Sequence, residues 1–92
     1  MTETLTAVVL LRNKRGLHAR ASAKFCAVAG SFDATVRVSK DDMTVGGCSI
    51  MGLMMLGAGV GSEIAILAEG PQAQDALDTL VRLVEDRFGE GE

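Results

Sequence analysis

The hydrophobic residues of this chain switch repeatedly between a period of two and a period of about 3.6, and glycines mark most of the switches. A two-residue period is typical of a half-buried strand, whereas apolar residues three or four positions apart line one face of a helix. Leu17, Ala21, Phe25 and Ala29 show the helical spacing most clearly. The patterns predict strands over 5–12, 32–39, 43–45 and 62–69, and helices over 17–29, 49–56 and 71–88.

The order strand, helix, strand, strand, helix, strand, helix limits the chain to few architectures. Two halves joined by a tight hairpin at 40–42 favour a mostly antiparallel sheet with helices on one face. Gly16 is expected to have a positive φ in the turn before the first helix, and Pro71 is expected in the first turn of the last helix. A length of 92 residues suits one domain over 1–92. We therefore expect an α+β fold, a two-layer sandwich.

Composition argues against several classes of protein. Aromatic residues make up 3% of the chain, without Trp or Tyr, so we expect an aliphatic core and few rings on which nucleic-acid bases could stack. A pI near 5.0 also argues against a nucleic-acid-binding protein. Cys26 and Cys48 form no CxxC motif and are interpreted as reduced and buried, with little support for a disulfide framework or a metal site. Without a membrane-length apolar run or a signal-peptide charge order, the chain is expected to be cytoplasmic.

Charge is distributed unevenly around the single histidine, His18. No Asp or Glu occurs from Thr4 to Phe32, and five of the 9 basic residues lie there, leaving four basic against 12 acidic residues elsewhere. The five basic residues are Arg12, Lys14, Arg15, Arg20 and Lys24. A local positive region of this kind can hold a phosphate or attract an acidic protein partner.

The pattern places His18 at the N-terminal edge of the first helix. An unperturbed imidazole has a pKa of about 6.5, so such a ring is largely neutral, and therefore nucleophilic, near neutral pH. The helix end disfavours the imidazolium and favours an attached anion, by roughly 0.3–1 kcal/mol at an exposed site. Arg20 adds a fixed positive charge that can bind phosphate oxygens. Such modest stabilisation suits a phosphate carrier better than a hydrolase, whereas a histidine without these neighbours would be interpreted as a surface or capping residue.

Two motifs at a defined separation narrow the interpretation further. Gly-Leu-His-Ala-Arg occupies 16–20, and Ser-Ile-Met-Gly-Leu-Met occupies 49–54. Together they resemble the HPr family, the histidine-containing phosphocarrier proteins of the phosphoenolpyruvate:sugar phosphotransferase system, and its nitrogen-related paralogue. The resemblance extends from the first strand to the last helix, and it implies a single HPr-like domain.

The resemblance implies a phosphoryl relay rather than a turnover enzyme, without a cofactor or a metal. Enzyme I would transfer phosphate from phosphoenolpyruvate to Nδ1 of His18, and the phosphohistidine would donate it to an enzyme IIA component. Arg20 would stabilise the phosphate. The implied fold is an open-faced β-sandwich, in which three helices cover one face of four antiparallel strands. One departure concerns Ala21 and Ser22, which stand where the family usually has Pro-Ala.

The second motif offers a regulatory site and a docking surface. Ser49 suits an N-cap, and in the family a serine here is the target of HPr kinase/phosphorylase, whereas Cys48 replaces a polar or basic residue of many relatives. The apolar residues of the following helix are Ile50, Met51, Met54 and Met55, of which at least two are expected in the core. The residues expected to dock partners are Lys24, Ile50, Met51 and Met54.

Two alternatives remain beside the phosphocarrier. One is a regulatory interaction module on the same fold, which would act through the Ser49 and Met-rich surface and would tolerate loss of His18. The other is a small ferredoxin-like metal or nucleic-acid binder, which the acidic balance and the scarcity of aromatic residues disfavour. Transient docking suits a monomer.

Overall fold

The computed structural model describes residues 3–89. The strands are β1 (Leu5–Leu10), β2 (Thr35–Lys40), β3 (Met43–Gly46) and β4 (Glu63–Glu69), the helices are α1 (Ala19–Gly30), α2 (Ile50–Met55) and α3 (Ala73–Glu85), and a 3-10 turn covers Arg87–Gly89. The order βαββαβα is the one that the hydrophobic periods predict. None of the helices within residues 3–89 is long and apolar enough to cross a bilayer.

The four strands form one sheet in the order β1-β4-β2-β3, and every neighbouring pair is antiparallel. The last strand therefore lies between the first two. Val38 on β2 is opposite Ile66 on β4 and Val45 on β3, which brings three apolar side chains into one row. The antiparallel, open-faced α+β fold expected from the sequence is confirmed.

The two faces of the sheet differ because side chains alternate along each strand. Val9, Val38 and Ile66 point to the helical side and are buried. On the other side Val8 is 63% exposed and Leu10 is 43% exposed, and no element of residues 3–89 covers them. The helices therefore bury one face of the sheet only.

The end of the chain corrects the predicted last helix. The pattern extended this helix to Phe88, but α3 ends at Glu85, and Phe88 is fully buried after a left-handed turn in which Arg87 and Phe88 have φ values of 54° and 55°. The turn returns the ring to the core, whose buried residues are aliphatic except for Phe25 and Phe88. Lys24 secures the turn, because its Nζ donates to the Phe88 carbonyl at 2.6 Å.

Several element boundaries and the burial of the cysteines also differ from expectation. Pro71, expected in the first turn of the last helix, precedes α3, whose N-cap is Gln72. The first helix begins at Ala19 rather than at Leu17. The second strand begins at Thr35 rather than at Phe32, because the Ala34 N–H closes a tight turn on the Phe32 carbonyl at 2.9 Å. The interpretation that both cysteines are buried is wrong: Cys48 is exposed and Cys26 is only partly buried.

Candidate functional site

His18 is the N-cap of α1, with extended backbone angles of φ −74° and ψ 179°. Its carbonyl accepts the first helical hydrogen bond from Ser22 N–H at 2.8 Å. Its ring folds over the helix end, where Nδ1 accepts a hydrogen bond from Arg20 N–H at 3.3 Å. The sequence expectation of a histidine at this helix edge is confirmed, and the half-buried ring directs one nitrogen at the first-turn amides.

Gly16 makes the tight approach before His18 possible. Its φ is +61°, and a Cβ at this position would lie 2.2 Å from the Ala58 carbonyl oxygen. The neighbouring Leu17 N–H donates to the same oxygen at 3.0 Å. The loop that precedes α1 is therefore fastened to the loop that follows α2, and only glycine satisfies both the backbone angle and the close approach.

Asn13 is a part of the site that the sequence reasoning missed. It is completely buried. Its side-chain Nδ2 donates to the Gly16 carbonyl at 2.8 Å, and its backbone carbonyl accepts from Gly16 N–H at 3.2 Å. These two bonds close the turn that delivers the chain to His18. The available signal was an Asn at the start of a glycine turn, where its amide often bonds to nearby backbone.

Ala21 and Ser22, the two departures from the family pattern, are both fully buried. The Ser22 hydroxyl donates to the Leu17 carbonyl at 3.1 Å, which satisfies a backbone oxygen just before the helix. Ala21 retains a backbone N–H in the first turn, where the amides of a helix have no intrahelical carbonyl to bind. The substitution pair thus keeps the helix start well bonded and leaves an amide donor where a proline would have none.

The basic residues around His18 lie at the surface. Arg20 is in the first turn of α1, and Arg12, Lys14 and Arg15 are exposed on the segment that leads to it. The positive end of the helix dipole and the first-turn amides therefore lie at His18, and Arg20 is in the same turn. A helix end of this kind favours a bound anion.

Ser49 is the N-cap of α2, as predicted, and its Oγ accepts a hydrogen bond from Gly52 N–H at 3.0 Å. A Cβ on Gly52 would lie 2.9 Å from this oxygen, so the glycine gives the cap its room. The residue is exposed. Its hydroxyl is thus bound to the helix and accessible at the same time.

The helices α1 and α2 run in opposite directions along their contact. Leu17, before α1, bonds to Ala58, after α2, while Cys48, before α2, contacts Cys26 in the second half of α1. The eight residues from His18 to Cys26 correspond to about 12 Å along the helix. Ser49 and His18 therefore lie at opposite ends of the helix pair rather than in direct contact.

The exposure of α2 corrects the expectation for its apolar residues. At least two of them were expected in the core, but the exposed fractions are 40%, 74%, 45% and 67% for Ile50, Met51, Met54 and Met55. Leu53 and Leu56 are buried in their place. A helix of six residues has one inward face, which the two leucines fill, so the other apolar side chains form an exposed Met-rich surface of residues 50, 51, 54 and 55.

Lys24 lies on a different part of the surface from α2. Its ammonium group is bound to the Phe88 carbonyl at 2.6 Å, and a Cβ on Gly89 would approach it to 3.6 Å. The structure therefore gives Lys24 a structural contact with the end of the chain. Its expected part in partner docking stays a prediction.

Comparison with known proteins agrees with this site. A family model described as the PTS HPr component phosphorylation site matches residues 5–86. The phosphocarrier protein HPr of Cupriavidus necator is 51% identical over 80 residues, which are 87% of this chain and 90% of the relative. The phosphocarrier protein NPr of Shewanella violacea is 39% identical over 82 residues, 89% of this chain and 90% of the relative.

A solved structure supports the same assignment at the level of the fold. The crystal structure of HPr-C-His from Thermoanaerobacter tengcongensis superimposes with a TM-score of 0.90 at 40% identity, covering 94% of this chain and 97% of that protein. The match covers both the helix end at His18 and the sheet beneath it. The chain belongs to the HPr family of phosphocarrier proteins of the phosphotransferase system.

Proposed function

We propose that His18 accepts a phosphoryl group on Nδ1 from phospho-enzyme I and donates it to an enzyme IIA component. The observation on which this rests is the hydrogen bond from Arg20 N–H to Nδ1 of His18 at 3.3 Å. A nitrogen that accepts a hydrogen bond presents its lone pair, so the neutral ring holds its proton on Nε2. The acceptor atom is thereby selected before a partner binds.

Acceptance follows from this tautomer. The Nδ1 lone pair attacks phosphorus, and the new N–P bond forms while the bond from phosphorus to the donor atom of enzyme I breaks. The Arg20 amide, released from the ring nitrogen, can then donate to a phosphoryl oxygen at the helix N-terminus. The Arg20 guanidinium supplies a charge-assisted contact to the same group.

Donation is the reverse step on a second partner. A nucleophile of the enzyme IIA component attacks phosphorus, and the Nδ1–P bond breaks with its electron pair returning to the ring. Helix-end stabilisation of about 0.3–2 kcal/mol is too small to trap the phosphoryl group. The chain is consumed and regenerated stoichiometrically, so we propose a relay rather than a turnover enzyme.

We also propose that partners dock on the Met-rich surface of α2, with Lys24 as a second, separate point of contact. The Ile50, Met51 and Met54 side chains are 40% or more exposed. Methionine side chains adapt to differently shaped apolar partners, which suits a carrier that meets enzyme I and enzyme IIA in turn. Such docking is transient, and we propose that the protein acts as a cytoplasmic monomer with one domain.

Ser49 is the proposed regulatory residue, phosphorylated by an HPr kinase/phosphorylase. Phosphoserine at an N-cap is favoured locally because it faces the positive end of the helix. Because Cys48, the neighbour of Ser49, contacts α1 at Cys26, about 12 Å along the helix from His18, a phosphate on Ser49 would act on partner docking rather than by contact with the imidazole.

The test of the proposal compares the wild type with His18→Asn in a reaction with enzyme I and phosphoenolpyruvate. Asparagine is a favoured N-cap residue, so this variant keeps the helix start while removing the nucleophile. Acid-labile, alkali-stable phosphate is expected on the wild type alone, and it maps to His18 because the chain has a single histidine.

A second phosphocarrier in the same assay shows that enzyme I is active. If the wild type then stays unlabelled, the relay is wrong, and the regulatory module that acts through Ser49 and α2 becomes the better explanation. If the wild type and His18→Asn were both labelled, the phosphate would lie on a residue other than His18.

A further inference from the structure

The two cysteines of the chain meet although 22 positions separate them. The Cys48 Sγ lies 3.9 Å from the Cys26 carbonyl oxygen, and a Cβ on Gly30 would lie 3.8 Å from the same sulfur. These contacts place Cys48 over the last turns of α1. Because this carbonyl belongs to Cys26 itself, the Cys48 thiol lies against the residue with which it would pair.

The two thiols differ in accessibility. Cys48 is exposed, whereas Cys26 is partly buried. Burial raises the pKa of the Cys26 thiol, and the adjacent Cys48, by its charge and its hydrogen bond, raises that pKa further. Because the thiolate is the reactive form, Cys26 is the slower of the two to attack an oxidant, and the exposed Cys48 is the first to encounter one.

We infer that Cys26 and Cys48 form a redox pair, in which hydrogen peroxide oxidises Cys48 and Cys26 closes an intramolecular disulfide. In the first step the Cys48 thiolate takes one peroxide oxygen, giving a sulfenic acid and releasing hydroxide, which becomes water on protonation. In the second step the Cys26 sulfur forms the S–S bond and the sulfenic hydroxyl leaves as water. Two thiols and one peroxide thus become one disulfide and two waters.

The position of the bond gives it a consequence for α2. Cys48 immediately precedes Ser49, the N-cap of α2, and Cys26 lies within α1. At its other end, α2 is already fastened to the loop before α1 through Ala58 and Leu17. A disulfide would replace the weak Cys48–Cys26 contact at the N-terminal end of α2 by a covalent bond, so α2 and its Met-rich surface would be held to α1 at both ends.

The test begins with the fully reduced protein treated with hydrogen peroxide. We expect a loss of two hydrogen atoms in the intact mass, no remaining free thiol and full recovery with dithiothreitol. Cleavage by trypsin after Lys24, Arg37, Lys40 and Arg82 puts the cysteines on separate peptides, 25–37 and 41–82, so a bridge appears as their sum. Cys26→Ser and Cys48→Ser are the matched controls, and neither can form the bridge.

Two further readouts test the proposed effect on α2. The oxidised protein is expected to melt roughly 5–15 °C higher than the reduced protein, since the bridge closes a long loop in a small domain. Hydrogen exchange of the α2 amides is expected to slow on oxidation. Neither readout depends on enzyme I, so failure of this inference can be distinguished from failure of the phosphoryl relay.

Three outcomes would overturn the inference. They are two intact thiols after peroxide, oxidation of Cys48 alone beyond the sulfenic acid, and a bridge between two protein molecules. A bridged protein with unchanged α2 exchange would overturn the effect on the helix. The closure rate is a further check: Cys26 must lose its proton to attack, and its pKa is raised, so closure should accelerate as the pH rises through the alkaline range.

Discussion

Arg20 contributes to the site twice, through its backbone amide and through its guanidinium. The amide bonds to Nδ1 of His18 whatever the side chain is, so a substitution separates the two contributions. We expect Arg20→Ala to slow phosphoryl acceptance by about tenfold to a hundredfold, because one charge-assisted contact to phosphate is lost. Initial rates with enzyme I measure this effect. Arg20→Lys, which keeps the charge, should recover part of the rate. A wild-type rate for Arg20→Ala would show that the guanidinium does not contribute to acceptance.

At Gly16, the backbone angle and the close approach of the Ala58 carbonyl make any side chain unfavourable. Alanine at φ +61° costs about 1–2 kcal/mol. Its Cβ would also displace the Ala58 carbonyl, which accepts from Leu17. We expect Gly16→Ala to lower the free energy of unfolding in urea by at least about 2 kcal/mol. Gly59→Ala is the control, because a Cβ there meets no atom within 4 Å, and equal losses in the two variants would contradict the argument.

The residues of the site were predictable to different degrees. His18, Gly16 and Arg20 were visible because a rare residue, a turn glycine and a run of basic residues adjoin in the sequence. Asn13 was not, since an Asn in a turn is usually exposed, whereas here it is completely buried in a turn that leads to the contact of Gly16 and Leu17 with Ala58. Such long-range contacts leave no periodic signal in the chain.

At the scale of elements, α2 joins a cap at Ser49 to an exposed apolar surface. We expect Ser49→Asp to lower the rate of phosphoryl acceptance from enzyme I by about threefold to tenfold, since the added charge opposes an acidic partner surface. Ser49→Asn is the matched control, because it is also a favoured cap but carries no charge. The assay is the initial rate at low and at high salt. Equal rates for the two variants at low salt would rule out the electrostatic account.

The elements themselves were largely predictable because periods of two and 3.6 survive in short segments. Their burial was harder to predict, and α2 shows why. Leu53 and Met54 are adjacent and both apolar, yet one is completely buried and the other 45% exposed. Hydrophobicity identifies a core residue and a docking residue alike, so only the position of the helix against α1 separates them. The predicted end of the last helix was wrong for a related reason. Phe88 is buried after the helix has ended, but its position in the sequence fits the helical period of the residues before it.

At the scale of the molecule, the residues next to His18 carry positive charge in an otherwise acidic protein. Lys14, Arg15 and Arg20 are exposed on the residues that flank His18, whereas Arg12 lines a surface pocket together with Glu85 and Asp86. A field of this shape orients a molecule of net charge −3 as it approaches an acidic partner. The open sheet face does not share this charge, and its exposed Val8 and Leu10 are apolar.

This asymmetry predicts a strong salt dependence of docking. We expect kcat/KM for phosphoryl acceptance from enzyme I to fall by about tenfold or more when salt is raised from about 0.05 M to about 0.5 M, because electrostatic steering is screened. The double variant Lys14→Gln/Arg15→Gln should start slower at low salt and respond less to added salt. Its control is Arg37→Gln/Lys40→Gln, which removes the same charge from residues paired with Glu69 and Asp41. If the two double variants have the same salt slope, net charge rather than the basic region around His18 governs the encounter.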